Sequence, residues 1–183
     1  ELLMDIFEPI VEKGTELPVI VNIHGGGLIG GSKNLSVGFC RQLAKRGYLV
    51  FSLEYRLIPD VRVYEQFDDV CAGMDCIGRK LVDFDVDFTR IYMVAESAGA
   101  YLATYVAAMK KSKALQDAIG YPPTNMVFKA MEAIGVEKCI YVGDSEVDVI
   151  TAQNAGVPCL SVLWGFRDRE DMEAVGAVHF CED

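Results

Sequence analysis

Short apolar runs alternate along the chain with longer amphipathic stretches. The runs are rich in Val, Ile, Leu and Tyr, which is typical of strands buried on both faces of a sheet. The stretches between them carry apolar residues at helical spacing. The predicted strands span residues 18–23, 48–53, 90–95, 138–142 and 158–163, and the predicted helices span 35–46, 64–82, 98–113, 125–135 and 146–155.

This alternation of strands and helices predicts an α/β fold. Buried parallel strands need helices over both faces, so we expect three layers, α/β/α, around one mostly parallel sheet of about five or six strands. Right-handed crossovers place the C-terminal ends of such strands at one edge of the sheet. In open α/β sheets that edge carries the chemistry.

A helix-breaking segment divides the chain. Residues 119–125 contain two consecutive prolines, which end a helix, followed by two polar residues that can cap the next one. We therefore predict two halves, 1–121 and 122–183. Because both halves have the pattern of parallel sheets, we expect them to merge edge to edge into one domain.

Charge and hydropathy exclude several classes of partner. The net charge is −10 and the sequence pI is about 4.7, whereas nucleic-acid binding needs a concentrated basic face. No window reaches the roughly 18 unbroken apolar residues of a membrane span. The first residues lack the basic start and apolar run of a signal peptide. We therefore expect a cytoplasmic protein with no nucleic-acid or membrane partner.

A glycine-rich motif, His24-Gly25-Gly26-Gly27, directly follows the predicted strand at 18–23. Glycines free the backbone to turn tightly and to direct N–H groups at an oxygen that becomes negative during acyl transfer. The motif is therefore a candidate oxyanion site.

A second motif, Ala95-Glu96-Ser97-Ala98-Gly99, lies between the strand at 90–95 and an alanine-rich helix. A nucleophilic serine on a sharp strand-to-helix turn needs small residues two positions before and after it, because strand and helix nearly touch there. Ala95 and Gly99 meet that need, and the helix start stabilises negative charge near Ser97. The two motifs together predict serine-based acyl chemistry.

Residues 1 to about 120 resemble the core of an α/β-hydrolase carboxylesterase of the hormone-sensitive-lipase-like group. The matching segments are 3–9 (LMDIFEP), 24–27 (HGGG), 54–59 (EYRLIP) and 96–103 (ESAGAYLA). The resemblance implies a small acyl-ester substrate, no cofactor, and Ser97 as nucleophile. It also implies that N–H groups of Gly26, Gly27 and Ala98 form the oxyanion site. In the same pattern His24 shapes the loop and is not the base, and Asp69 is structural.

Residues 124–183 resemble the C-terminal part of haloacid-dehalogenase-like phosphatases, especially phosphoglycolate-phosphatase-like members. The matching segments are 141–148 (YVGDSEVD), 152–158 (AQNAGVP) and 162–166 (VLWGF). The resemblance implies that Asp144 and Asp148 bind Mg²⁺, an ion that prefers hard oxygen ligands.

The remainder of a phosphatase site departs from that family's pattern. In that family the nucleophilic aspartate belongs to a D-x-D box after the first strand. The comparable segment here, 83–87 (DFDVD), precedes a strand. Tyr121 stands where the family has its phosphate-binding lysine. Without a nucleophile and a phosphate clamp the chain cannot run phosphoryl transfer. We expect at most a weak Mg²⁺ site.

A serine esterase also needs a base beside its nucleophile and a carboxylate that orients the base. The chain has two histidines, and the loop role of His24 leaves His179 as the candidate base. Three acids, Asp168, Glu170 and Asp171, precede it in the order that a triad needs. We nevertheless predict no complete triad, and weak or absent ester hydrolysis, because His179 belongs to the phosphatase-like text.

Two other interpretations stay open. One is a recombined or engineered α/β scaffold without catalysis, which folds because its parts present compatible sheet edges. The other is a remnant of a Mg²⁺-dependent phosphatase. Apolar surface near an open Ser97 face would favour self-association, so we also expect a homodimer.

Overall fold

The structure, a computed structural model, describes residues 2–111, 140–155 and 158–182. They belong to two compact units, Glu1–Val136 and Glu137–Asp183. The predicted helix-breaking segment at 119–125, the helix at 125–135 and Tyr121 lie outside the described residues. The boundary between residues 121 and 122 therefore stays a prediction.

The first unit contains four described strands and three described α-helices. The strands are β1 (Met4–Phe7), β2 (Leu17–Ile23), β3 (Leu49–Leu53) and β4 (Val86–Ala95), and the helices are α1 (Val37–Lys45), α2 (Val63–Lys80) and α3 (Ala98–Lys111). Short 3₁₀ turns precede α1 at Lys33–Ser36 and follow α2 at Leu81–Asp83. Except for β1, each of these strands and α-helices was predicted to within a few residues.

The sheet of the first unit has the order β1-β3-β2-β4. β2 is parallel to β3 and to β4, whereas β1 is antiparallel to β3. In the register, Ile23 pairs with Leu53 on one side and with Ala95 on the other. The residues that follow the three parallel strands therefore meet at one edge of the sheet.

Side chains on the two faces of this sheet belong to two separate apolar clusters. Val21 and Ile23 of β2 belong to a large cluster with Met74 of α2 and Leu102 of α3. On the other face, Ile20 clusters with residues that include Cys40 of α1. Each large apolar side chain that is fully buried contributes roughly 1.5–3 kcal/mol. The predicted three layers, α/β/α, are thus present in the first unit.

The second unit is a smaller α/β assembly. Its strands are β5 (Tyr141–Gly143), β6 (Cys159–Val162) and β7 (Phe180–Cys181), and its described helices are α4 (Glu146–Ala155) and α5 (Arg169–Ala174). Both strand pairs are parallel. Val149 of α4, Met172 of α5 and Ala177 form the buried centre.

The α/β class and the mostly parallel strands are confirmed, but the expected single sheet is corrected. The described strands form one sheet of four strands and another of three. In the second unit β6 pairs on both sides with strands of the same unit, β5 and β7, and none of these three strands pairs with a described strand of the first unit. Compatible parallel strands in the two halves therefore do not by themselves join the halves into one sheet. Along the described residues, no helix combines the length and apolar character needed to cross a bilayer.

Candidate active site

Ser97 occupies a strained turn between β4 and α3. Its φ is +50°, a left-handed conformation that residues other than glycine rarely adopt. Backbone hydrogen bonds on both sides hold the turn: Gly99 N donates to Glu96 O at 2.8 Å, and Tyr101 N donates to Ser97 O at 3.2 Å. The Ser97 side chain is exposed. This is the geometry in which α/β-hydrolases present a nucleophilic serine.

Gly99 allows α3 to begin directly against β2. A Cβ atom at this position would lie 2.3 Å from Ile23 O and 2.5 Å from His24 O. Both neighbours are backbone atoms and cannot turn aside as a side chain would. This backbone contact explains why the sequence pattern requires a small residue two positions after the serine.

The glycine loop, residues 24–33, lies beside Ser97. A Cβ atom built on Gly25 would be 3.2 Å from Ser97 Cβ and 3.0 Å from Glu96 O. Gly26 and Gly27 follow with φ values of +123° and +65°, and Gly30 N donates to Gly26 O at 2.9 Å. The structure thus brings the two sequence motifs together.

The assignment of Gly26, Gly27 and Ala98 as oxyanion donors stays a prediction. It is compatible with the fold, because the loop and the first residue of α3 flank the serine on the same edge of the sheet.

His24 is fully buried and both of its ring nitrogens are engaged. Nδ1 lies 2.7 Å from Gly25 O, and Nε2 lies 3.1 Å from Glu54 Oε1. The ring stacks on Tyr55 with 4.2 Å between centroids, and the Tyr55 hydroxyl donates to His24 O at 3.0 Å. Burial, with a smaller effect of Glu54, raises the pKa of Tyr55 to about 12, so its hydroxyl stays a donor. These contacts leave neither ring nitrogen free to serve Ser97.

Asp69 anchors the segment that follows β3. Its side chain is only 4% exposed and accepts from the Arg56 guanidinium at 2.7 Å and from Arg56 N at 2.9 Å. Hydrogen bonds to Asp69 raise the pKa of Arg56, so the guanidinium keeps its positive charge. The structural role inferred for Asp69 agrees with these contacts.

His179 lies in the second unit, between α5 and β7. Its ring is exposed, and its carbonyl oxygen accepts from Ser161 N at 2.8 Å. Of the three candidate acids, Asp168 is the N-cap residue of α5, and Glu170 and Asp171 lie in the first turn of that helix. A catalytic role for His179 stays a prediction.

Asp144 and Asp148 act as hydrogen-bond acceptors in the second unit. Asp148 Oδ2 accepts from Asp144 N and Ser145 N, both at 3.1 Å, and from Ser145 Oγ at 2.6 Å. Asp144 Oδ2 accepts from Phe166 N at 2.9 Å. In the part of the chain that the structure describes, no three His, Cys, Asp or Glu side chains come together as a metal site. A Mg²⁺ site at Asp144 and Asp148 stays a prediction; in the structure both carboxylates accept hydrogen bonds from neighbouring loop residues.

The aspartate-rich text at 83–87 lies at the N-terminal end of β4, as expected, which is the opposite end of that strand from Ser97. Asp87 accepts from the Thr89 hydroxyl at 2.6 Å and from Thr89 N at 2.9 Å, and it pairs with Arg90. The Thr89 hydroxyl, the Arg90 guanidinium and Thr89 N lower the pKa of Asp87 to about 2. Asp87 is thus an ionised surface anchor of the strand.

The hydrogen bonds of Asp148 give a direct test of the metal question. We expect Asp148→Ala to lower the midpoint of thermal unfolding, because three donors lose their acceptor. We expect millimolar Mg²⁺ or EDTA to leave the wild-type midpoint unchanged, since a ligand stabilises only a fold that binds it. Differential scanning fluorimetry measures both. A Mg²⁺-dependent rise in the midpoint that Asp148→Ala removes would contradict the structural role.

Comparison with known proteins agrees with the geometry of the first unit. A family model described as BD-FAE matches residues 4–142, which include both the glycine loop and Ser97. The chain belongs to the BD-FAE family. A second model, described as HAD-hydrolase-like, matches residues 118–183, so the two matches share 118–142. The BD-FAE match covers most of the chain, and the HAD-hydrolase-like match covers the second unit.

Curated relatives of this BD-FAE chain align with part of their own length. A probable isoprenylcysteine alpha-carbonyl methylesterase of Oryza sativa subsp. japonica is 32% identical over 100 residues, which are 55% of this chain and 23% of that protein. Tuliposide A-converting enzyme 2 of Tulipa gesneriana is 31% identical over 133 residues, which are 67% of this chain and 34% of that protein. The chain thus spans about a quarter to a third of the length of these relatives.

Solved structures show the same fold. Esterase B from Lactobacillus rhamnosis aligns with a TM-score of 0.67 and 20% identity over 85% of this chain and 67% of that one. A thermophilic carboxylesterase cloned from a metagenomic library aligns with a TM-score of 0.63 and 19% identity over 87% of this chain and 73% of that one. The BD-FAE chain therefore shares the fold of these two esterases.

Two residues of the BD-FAE segment contact the glycine loop but had no role in the sequence prediction. Glu54 contacts His24, and the Gln66 amide donates to Leu28 O at 2.8 Å. A signal for Glu54 was present: it directly follows a buried strand, as His24 does, and two such residues become neighbours when the strands pair in parallel. Nothing in the sequence marks Gln66, since its contact depends on how α2 packs.

Proposed function

We propose that the chain carries the nucleophile and the oxyanion site of a carboxylic-ester hydrolase. Ser97 is the nucleophile, and the N–H groups of Gly26, Gly27 and Ala98 receive the carbonyl oxygen. The observation that carries this proposal is the left-handed turn at Ser97, packed against Gly25. A strained non-glycine residue beside a glycine loop is costly to maintain, and such strain concentrates at functional sites.

In this mechanism the Ser97 oxygen attacks the carbonyl carbon of an ester. The carbonyl oxygen becomes negative and is stabilised by the loop N–H groups, which are fixed before the reaction begins. Collapse of the intermediate breaks the bond to the alcohol oxygen, which leaves with the proton that the Ser97 hydroxyl gives up, and the acyl group stays on Ser97. Water then attacks this acyl group, which leaves as a carboxylic acid and restores the Ser97 hydroxyl. No cofactor takes part in these steps.

The base determines how fast this chemistry runs. His24 is engaged at both nitrogens, so His179 is the remaining imidazole of the chain. Unless it reaches Ser97, the hydroxyl stays poorly activated and the triad is incomplete. Enzymes deprived of triad members still retain about 10³-fold acceleration over water. We therefore propose weak or absent hydrolysis of short activated acyl esters.

Reaction with a fluorophosphonate tests the proposal. We expect slow covalent labelling of Ser97, identified by peptide mass spectrometry, and little hydrolysis of p-nitrophenyl acetate. Ser97→Ala should abolish the labelling, whereas His179→Ala should change it little. Labelling that persists in Ser97→Ala would contradict the nucleophile. Rapid stoichiometric labelling with rapid turnover that His179→Ala removes would contradict the incomplete triad.

A second candidate is an α/β scaffold without catalysis, assembled from two α/β families. It is favoured by the two family matches, which meet within 118–142, and by the division into compact units at 136/137. Complete absence of labelling in a folded wild-type protein would support this candidate. Self-association into a homodimer stays a prediction and can be measured by sedimentation.

A further inference from the structure

One carboxylate joins both ends of the glycine loop. Glu54 directly follows β3, and its Oε1 lies 3.1 Å from His24 Nε2 at the start of the loop. Its Oε2 accepts from Lys33 N at 3.2 Å at the end of the loop. The register explains the contact with His24, because Ile23 pairs with Leu53 and the next residues along the two parallel strands are His24 and Glu54.

The segment between these two contacts needs such a constraint. Residues 24–33 include five glycines, and glycine loses more conformational entropy on ordering than any other residue. The loop interior has further contacts: Leu28 O accepts from Ile58 N at 3.0 Å and from the buried Gln66 amide at 2.8 Å. Glu54 differs from these contacts because it fixes the two ends simultaneously, on either side of Gly26 and Gly27.

We propose that Glu54 is a positioning residue, which holds the N–H groups of Gly26 and Gly27 where the developing oxyanion forms. This inference rests on the proposed ester-hydrolase site, which it deepens by naming what fixes the oxyanion donors. Glu54 acts through His24 and Lys33 N and does not itself contact the reacting atoms. Preorganised donors are the largest electrostatic term in many acyl-transfer enzymes, and small displacements reduce their effect strongly.

The chemistry of the contact shows which substitutions should be tolerated. Gly25 O is an acceptor, so His24 Nδ1 must carry hydrogen. Glutamine at position 54 can keep both contacts: its oxygen accepts from Lys33 N, and its NH₂ group donates to Nε2 of a neutral His24 ring. Alanine at this position removes both contacts. Comparing Glu54→Gln with Glu54→Ala therefore distinguishes the effect of the loop position from the effect of the negative charge.

The first measurement is the rate of Ser97 phosphonylation, resolved into inhibitor binding and the bond-forming step. We expect Glu54→Ala to slow the bond-forming step on the order of tenfold or more with little change in binding, because misplaced donors act in the transition state. Glu54→Gln should stay within about threefold of wild type. Asp87→Ala is the matched control: it too removes a carboxylate that accepts several hydrogen bonds, 18% exposed against 25% for Glu54, at the opposite edge of the sheet.

The second measurement is independent of reactivity. Amide hydrogen exchange of the peptide covering residues 24–33 should be faster in Glu54→Ala than in wild type, Glu54→Gln and Asp87→Ala. Unchanged exchange in Glu54→Ala would overturn the inference, and so would a bond-forming rate equal to wild type, or a Glu54→Gln rate as low as that of Glu54→Ala. A wild-type protein that is not labelled at Ser97 would instead overturn the proposed function, and the exchange result would still decide the role of Glu54.

Discussion

Replacing Gly99 with alanine is expected to destabilise the first unit by about 3 kcal/mol or more and to abolish labelling of Ser97. The added Cβ would lie 2.3 Å from Ile23 O and 2.5 Å from His24 O. Overpacking usually costs about 1–3 kcal/mol, and the cost here is expected at or above the top of that range because both neighbours are backbone atoms of β2 and the glycine loop. Relief requires α3 to move away from the sheet, which also moves Ser97. Urea denaturation measures the free energy of unfolding.

Gly38→Ala is the matched control for this effect. Gly38 lies inside α1, and a Cβ atom there would meet nothing within 4 Å. Gly38 is the second residue of the helix, so the preference for alanine over glycine in helix interiors, roughly 0.5–1 kcal/mol, is an upper limit for the gain, and this variant should be as stable as wild type or slightly more stable. If Gly99→Ala and Gly38→Ala unfolded at the same denaturant concentration, the close contact between α3 and β2 would be refuted.

Replacing Gly26 with alanine is expected to slow the phosphonylation of Ser97 by about 10²-fold, the usual effect of losing one oxyanion donor. Gly26 has a φ of +123°, and a Cβ atom there would lie 2.1 Å from Gly30 O. The loop must therefore open at the turn that is closed by the hydrogen bond from Gly30 N to Gly26 O. The second-order rate constant of fluorophosphonate labelling measures the loss.

Gly47→Ala isolates the conformational part of that effect. Gly47 has a φ of +93° but nothing within 4 Å of its would-be Cβ. Alanine at position 47, in the turn between α1 and β3, adds only the free-energy cost of a left-handed backbone conformation, roughly 1–2 kcal/mol. Labelling in this variant should equal that of wild type. If the labelling rate constant of Gly26→Ala were within twofold of that of Gly47→Ala, Gly26 would not be an oxyanion donor.

Local patterns in the sequence were sufficient to predict much of the first unit. The apolar runs at 18–23 and 48–53 correspond to β2 and β3, because a strand buried on both faces leaves an unbroken apolar signal. The turn at Ser97 was also predictable, since its steric requirement falls on residues within two positions. The joint location of this turn and the glycine loop followed from parallel strand order alone.

Features that depend on partners distant in the chain were missed. β1 is four residues long and half-buried, and it is defined only by its antiparallel pairing with β3. The division into two sheets was missed because strand pairing decides it, and an apolar run does not show which strand lies beside it. The contact between Glu54 and His24 joins residues 30 positions apart, and only the strand register brings them together.

The positive φ of Ser97 has a consequence for the range of nucleophiles that this turn can present. Side chains branched at Cβ are true outliers in the left-handed region. Threonine is therefore excluded from the position even though it has the same hydroxyl group, whereas the unbranched thiol of cysteine fits the backbone as well as serine does. Backbone geometry thus favours an unbranched nucleophile at the tip of β4: a primary alcohol, a thiol or the carboxylate of an aspartate.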